Sequence, residues 1–454
     1  MSNKKEKPNV IDLFAGCGGL SEGFRQAGFE VIAQVEMDKW ACETLRTRCL
    51  YYHLKDIGKM SLYYKFLRGE IDRDDIFKRF PEFKESIYYT VIQFEFGKEK
   101  SDKILENIER ARRFYGTRKF HVIIGGPPCQ PYSLAGRARK PDRMENDNRH
   151  FLYEHYLKVL EHCKPDFFVF ENVPGLMTAR ANGHEIFLRM LDDFRNISPP
   201  YEIAPSFDEY SRNPREYLLK CHRYGIPQKR KRVIFIGYKK SLMSKNPDIK
   251  NVFKKILKAK TPAHQTRSVS DAIGDLPPLK PGEGSDSWFD KYQDDPLTPY
   301  QRGMRKSSHG ILNHHARTHM ESDLKRYRFF IEHRLNGGRA ATLSTLMLER
   351  PDLTPAHNHL DKFLDRFKVQ WWDQPSSTIT AHICKDGHYY IHPDISQCRS
   401  FTVREAARCQ SFSDNFKFEG PRTEQFRQVG NAVPPLLAAV IARGILRELK
   451  RTYG

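Results

Sequence analysis

Apolar positions in the first half of the chain come in short unbroken runs, alternating with stretches of helical spacing. VIDLFA, starting at Val10, reads as a buried strand, and the glycine-rich GCGGLSEG follows it. A helix then extends to Gln26, with Gly28 placed to close it. FEVIAQVE, ending at Glu36, is the next strand, and residues 38–48 are helical again. Further buried runs are HVIIGG (121–126), DFFVFENV (166–173) and RVIFIGY (232–238). Runs that are apolar throughout and separated by helices predict strands covered on both faces. Residues 8–238 are thus expected to form an α/β domain with a doubly wound, mostly parallel sheet of Rossmann-like type.

Two stretches break this rhythm. Residues 58–119 mix charges of both signs with many aromatics and read as an insertion, partly helical where Ile104, Ile108 and Ala111 share a face. After Tyr238 the chain is first lysine-rich, then carries DLPPLKPGEGSDSW and many histidines. We expect a second, smaller, irregular domain over 239–425. The first domain is 1–238 completed by 426–454, where 435–451 form a last amphipathic helix opened by prolines.

Composition narrows the function classes. Lys plus Arg number 76 and Asp plus Glu 56 in 454 residues, a net charge of +20. That excess suits a polyanionic partner, nucleic acid ahead of an anionic membrane surface, although a plain basic enzyme surface gives the same number. No run of about 20 uninterrupted apolar residues is present, so no membrane span is expected. MSNKKEKPNV lacks the apolar stretch of a secretory signal, and nine scattered cysteines suit a reducing cytoplasm.

Four constellations carry chemistry. DLFAGCGGLSEGF, Asp12 to Phe24, is a glycine turn between strand and helix, where a ligand can approach the backbone. Glu36 ends the second strand, where an acidic residue can take ribose hydroxyls. The spacing is not GxGxxG, so a nucleotide-like cofactor is favoured over a dinucleotide. GGPPCQPYS, Gly125 to Ser133, holds Cys129 between prolines at a strand end, a rigid polar setting unlike that of a buried structural thiol. Glu171 in ENV ends another strand and can act as an acid or hydrogen-bond partner. In QKRKRVIFIG, Arg230 and Arg232 alternate, so both face one way from a strand start.

Taken together, the chain resembles the DNA (cytosine-5)-methyltransferases of the bacterial modification type, nearly end to end. The motifs stand in family order: VIDLFAGCGGLSEGF, EMDKWA, GGPPCQPYS, DNR (147–149), ENVPG, QKRKRVIFIG, VSDAIGDLPPL (269–279), PSSTITAHICKDGHYYIHPD (375–394), TVREAARCQSF (402–412) and QVGNAVPP (428–435). The resemblance implies methyl transfer from S-adenosylmethionine to carbon 5 of cytosine in a specific double-stranded DNA sequence, with base flipping and a covalent cysteine adduct. It implies Cys129 as nucleophile, Glu171 at ring nitrogen 3 and the exocyclic amine, Arg232 at the base oxygen, and Arg230 in support. The cofactor would lie on Phe14, Ala15, Gly16, Gly18, Gly19 and Leu20, with its ribose on Glu36, Met37 on the adenine, and Asp56 at the adenine amine. Pro128 and Asn431 would complete the pocket. Residues 133–149, with Arg137, Arg139, Lys140 and Arg143, would form a lid over the flipped base, and the second, target-recognition domain would choose the DNA sequence through residues 239–398. A monomeric, cytoplasmic, DNA-associated modification enzyme is implied, with a cognate restriction endonuclease as its partner and no metal.

Two other readings compete. The related tRNA-modifying branch carries a Cys-Phe-Thr motif, where this chain has only Asn431-Ala432-Val433 nearby, and a shorter variable region. A catalytically silent nucleic-acid-binding homologue would be free to lose Cys129, Glu171 or Arg232, and none is missing. Cys384, His388, His392 and Cys398 have a spacing that zinc could use, but they fall in what reads as a hairpin turning at Asp386-Gly387. His314, His315 and His319 lack a convincing fourth ligand.

Overall fold

The computed structural model describes residues 7–99, 101–128, 152–181, 184–204, 213–262, 265–286, 292, 294–337, 340–356 and 364–454. Its first elements are β1 (Asn9–Leu13), α1 (Gly19–Ala27), β2 (Glu30–Glu36) and α2 (Lys39–Asp56). Three helices follow, α3 (Met60–Leu67), α4 (Arg73–Arg79) and α5 (Pro81–Thr90), before β3 (Val91–Gln93) and α6 (Ser101–Phe114). Next come β4 (Val122–Gly125), α7 (Leu152–Cys163), β5 (Phe167–Asn172), α8 (Ile186–Asn196), β6 (Tyr201–Ala204), β7 (Leu218–Lys220) and β8 (Lys231–Lys239).

These strands form one mixed sheet in the order β3-β2-β1-β4-β5-β8-β6, with β7 also pairing β8. The β1–β2, β2–β3, β1–β4 and β4–β5 pairs are parallel, and β8 runs antiparallel to β5, β6 and β7. The α/β expectation is met, and β1 is buried along its whole length, as a strand covered on both faces must be. Gly28 closes α1 with φ 102°, its amide donating to the carbonyls of Phe24 and Arg25. The strand order reverses between β1 and β4, so the crevice at their carboxyl ends is where such a sheet binds ligands.

The insertion is shorter than the sequence suggested. Helices α3 to α5 interrupt the sheet, but β3 and α6, placed inside 58–119 by the sequence reading, belong to the α/β repeat itself. Ile104, Ile108 and Ala111 of α6 pack in the sheet's own core, while α3–α5 form a separate cluster with Leu45, Leu54, Val91 and Leu312.

The second region also begins later than expected. Leu242, Ile249, and Val252, Phe253 and Ile256 of α9 (Val252–Lys258) share a core with β8 and the last helix. Beyond them, α10 (Val269–Ile273), α11 (Pro299–Arg305), α12 (Glu321–Leu335) and α13 (Leu343–Glu349) precede α14 (Val403–Cys409) and α15 (Arg422–Asn431). The last helix, α16 (Pro435–Tyr453), lies on α1. A Cβ at Gly23 would meet the Ala439 amide nitrogen at 2.5 Å, so glycine lets the two helices touch. The stretch Arg422–Tyr453 is apolar enough to resemble a membrane span, but it is mostly buried in this core. Residues 379–394 are not a hairpin: short 3₁₀ turns at Ala381–Cys384 and His388–Tyr390 flank Gly387. Trp371 lies under the Arg334 guanidinium at 4.3 Å and Trp372 stands edge-on to His392 at 5.3 Å, both half-buried against local cores.

Candidate active site

The turn after β1 is built from left-handed backbone. Phe14, Gly16 and Gly18 have φ of 57°, 56° and 87°. This curls the chain so that the Gly16 amide donates to Glu36 Oε2 at 2.7 Å. Glu36 Oε1 accepts from the amides of Met37 (2.9 Å) and Asp38 (2.8 Å). Burial pushes the Glu36 carboxyl up from its ordinary range, and the three amides oppose that shift. Oε2 keeps acceptor capacity for a hydroxyl donor.

Around Glu36 the wall is apolar on one side. The Phe14 ring lies tilted against Phe96 at 4.5 Å between centroids, and Met37 is 56% exposed. A Cβ at Gly16 would meet nothing within 4 Å, so this face of the turn is open. Gly18 and Gly19 face the protein instead. A Cβ at Gly18 would sit 2.7 Å from Leu45, and one at Gly19 would overlap the Val433 carbonyl. Leu20 is buried in the core under α1, and Ala15 packs toward α2.

Asp56 is the clear misplacement. It is exposed at the carboxyl end of α2, a helix that starts just after Glu36. Eighteen residues at ~1.5 Å each carry it about 27 Å away. The third strand ends at Gln93, and Phe94 donates its amide to the Glu36 carbonyl at 2.9 Å. Gln93 and Phe94, not Asp56, are the residues that the structure brings beside Glu36 at this strand end. The inserted helices moved β3 about thirty residues along the chain. The alternating VIQFEF could have revealed it.

Across the switch point, β4 runs into Gly125-Gly126-Pro127-Pro128. A Cβ at Gly125 would press on the Leu13 carbonyl at 2.5 Å, and one at Gly126 would overlap the Glu171 carboxylate. Asn172 Nδ2 lies 3.5 Å from the Pro127 carbonyl, while its Oδ1 accepts from Val173. The ENV motif thus holds the start of the proline loop. Cys129 and the lid segment 133–149 lie outside the described residues; Pro128 is described and half-buried.

Glu171 is buried at the end of β5 and ion-paired to Arg232 Nε. Arg232 also donates from Nη1 to the Lys231 carbonyl at 2.8 Å. Residues 228–232 alternate as expected, with Gln228, Arg230 and Arg232 buried and Lys229 and Lys231 exposed. Arg230, however, is fully enclosed. It donates to the carbonyls of Ile379 (2.6 Å), Gly430 (3.2 Å) and Asn431 (3.5 Å), and burial pulls its pKa down to about 9. Arg230 thus fastens the 375–380 segment and the GNAVPP loop to the base of β8. Gln228, which the sequence reading did not single out, does the same toward Cys409, Gln410 and Ile379. Asn431 is itself exposed at the end of α15.

Among the described residues no group of His, Cys, Asp and Glu is arranged to hold a metal ion. His314 bonds Thr402 and the Pro277 carbonyl at 2.9 Å each, and His388 bonds Tyr327 at 2.7 Å.

The family model for C-5 cytosine-specific DNA methylases matches residues 8–75 and 87–447. The residues it skips fall in α4 and α5 of the insertion. The chain is 40% identical to the type II methyltransferase M.Bpa9945I of Bacillus paralicheniformis, covering 96% of this chain and 98% of that one. It is 29% identical to M.DdeI of Desulfomicrobium norvegicum, over 96% and 88% of the two chains. Its fold is similar to the crystal structure of an E. coli prophage protein described as a DNA modification methyltransferase (TM-score 0.62, 23% identity, 98% and 100% coverage). Sequence, fold and site converge, and the chain belongs to the C-5 cytosine-specific DNA methylase family.

Proposed function

We propose that this DNA cytosine-5 methyltransferase works through a covalent adduct on Cys129 with a cytosine flipped out of the duplex, using S-adenosylmethionine. The observation that carries this reading is the junction of the proline loop with the Glu171–Arg232 pair, since Gly126 has no room for a side chain beside Glu171.

The pocket fits the cofactor's adenosine. Glu36 Oε2 would accept from ribose, the open face of Gly16 leaves space for it, and Met37, Phe14 and Phe96 offer apolar surface to a purine. When bound, S-adenosylmethionine supplies an electrophilic sulfonium methyl group. The protein's task is to make carbon 5 nucleophilic. The Cys129 thiolate adds to carbon 6, and the ring electrons move toward carbon 5. Glu171 hydrogen-bonds nitrogen 3 and the exocyclic amine, and Arg232, held by Glu171, takes the base oxygen. Once carbon 5 has taken the methyl group, loss of its proton and release of Cys129 restore the ring. Flipping the base costs a few kcal/mol, which phosphate contacts elsewhere offset. Asp56 is left out of this pocket, and Arg230 acts as a positioning residue. The type II names of the relatives support a modification enzyme paired with a restriction endonuclease.

A duplex carrying 5-fluorocytosine at the methylated position tests the mechanism, because fluorine cannot leave as a proton does. Mass spectrometry should find the adduct on Cys129, and Cys129→Ser should form none and transfer no methyl groups. An adduct on another cysteine, or normal turnover by the serine variant, overturns the reading.

A further inference from the structure

The outer face of the QKRKR segment has no role in the site as described. Its inward residues are all engaged, but Lys229 and Lys231 point to solvent. Lys231 lies directly opposite Lys220 in the β7–β8 ladder, so two cations face each other across an antiparallel pair. Like charges in that position destabilise a sheet. Arg223 is exposed on the turn that links these strands. Among the described residues, no carboxylate lies within ion-pair distance of Lys220, Arg223, Lys229 or Lys231, and Lys229 bonds only the neutral Gln374 amide at 3.2 Å.

His222 reports the local field. It is half-buried, its Nδ1 has no hydrogen-bond partner, and burial and then all four cations hold it below the ordinary imidazole range. The patch also has a definite place. Val233 pairs with Asn172, so Lys231 lies two residues past the end of β5, about 7 Å along the strand from the ENV motif. A duplex delivering a base to Glu171 and Arg232 must pass this end of the sheet.

We propose that Lys220, Lys229, Lys231 and Arg223 form a phosphate clamp that holds the DNA backbone next to the target cytosine. The proposal rests on the reading of the chain as an enzyme acting on duplex DNA. The unbalanced cross-strand pair is the feature a plain basic surface does not explain: the charge repulsion is relieved when a polyanion lies across it. Lysine acts on phosphate as a point charge, so the clamp adds affinity and register without reading sequence.

The test is equilibrium binding to a target duplex and to an unrelated duplex, from 50 to 300 mM salt, for wild type and for Lys220→Ala/Lys231→Ala. Each lost phosphate contact lowers the salt slope by about 0.9, so the double variant should lose about 1.8 and bind both duplexes about 60-fold more weakly at 0.1 M salt. Cofactor affinity serves as the folding control, and Lys220→Arg/Lys231→Arg should restore the slope. A wild-type slope and affinity in the alanine variant overturn the clamp, as does weakening confined to the target duplex. If wild type itself methylates no duplex DNA, the underlying reading fails as well, which separates the two failures.

Discussion

Glu36 uses both of its oxygens on backbone amides, which makes its replacement informative. Glu36→Ala removes the acceptor for ribose and strands three amide donors. Cofactor binding should weaken by about 1.5–3 kcal/mol, read by isothermal titration. Glu36→Gln should fare little better. An amide has one accepting oxygen, so its NH₂ must face either the Gly16 amide or the Met37 and Asp38 pair. Full affinity in the glutamine variant would show that hydrogen-bond acceptance at both oxygens is unimportant. At this scale the sequence was legible wherever a residue's role follows from a strand end next to it. Glu36 and Glu171 sit where their motifs place them. Arg230 was expected to support Arg232 at the base, because alternation tells which face a side chain takes, not what that face meets. It meets three carbonyls of segments about 150 and 200 residues away.

Elements were read well where each strand was followed by its own helix, and poorly where an insertion intervened. Apolar runs located β1, β2, β4, β5 and β8, while β3 went unread because it lies inside the stretch taken as an insertion, between α5 and α6. Close approaches between elements left a different trace, in glycines. Gly19→Ala would drive a Cβ into the Val433 carbonyl, and overpacking of this kind costs about 1–3 kcal/mol. Thermal unfolding should show a clear fall for Gly19→Ala, while Gly303→Ala, on an open helix face, should be neutral or stabilising. A fall in both would implicate backbone effects in place of packing. The start of α14 carries a pH dependence. Burial pulls His314 down to about 4 and His392 down to about 3, beside Glu405. An exposed imidazole titrates near ~6.5, so the unfolded chain takes up these protons first as pH falls. Stability is therefore complete above about pH 6.5 and lost toward about pH 4, by at most about 2.7 kcal/mol per unit for the two groups. Urea midpoints between pH 7.5 and 5 should fall accordingly, and a flat profile would mean that neither histidine is neutral in the fold.

At the scale of the molecule, composition indicated a second region after Tyr238, but the cores divide the chain differently. Residues 242–256 belong with β8 and α16, and 375–380 are pinned to Gln228 and Arg230. Composition reports only what a segment is made of, and anchoring by long-range hydrogen bonds leaves no local signal. Around α12 lies a small core, in which Tyr327, Phe330 and Ile331 meet Leu343, Leu346, Leu353, Phe367 and Val369, with Ile391 and Cys398 closing it from beyond the second anchor. A segment that supplies most of its own core is the one whose exchange disturbs the chemistry least. Target choice, which the sequence reading assigned to 239–398, is therefore expected to reside mainly in 320–369. Each good bidentate contact from it to a base edge would contribute about 1–3 kcal/mol of discrimination. The measurement is a chimera whose residues 320–369 come from a relative with a different target, with methylated sites mapped by bisulfite reads. The methylated sequence should follow the donor of that segment. If it still follows the rest of the chain, specificity resides in residues outside this core, and the division drawn from the packing is wrong.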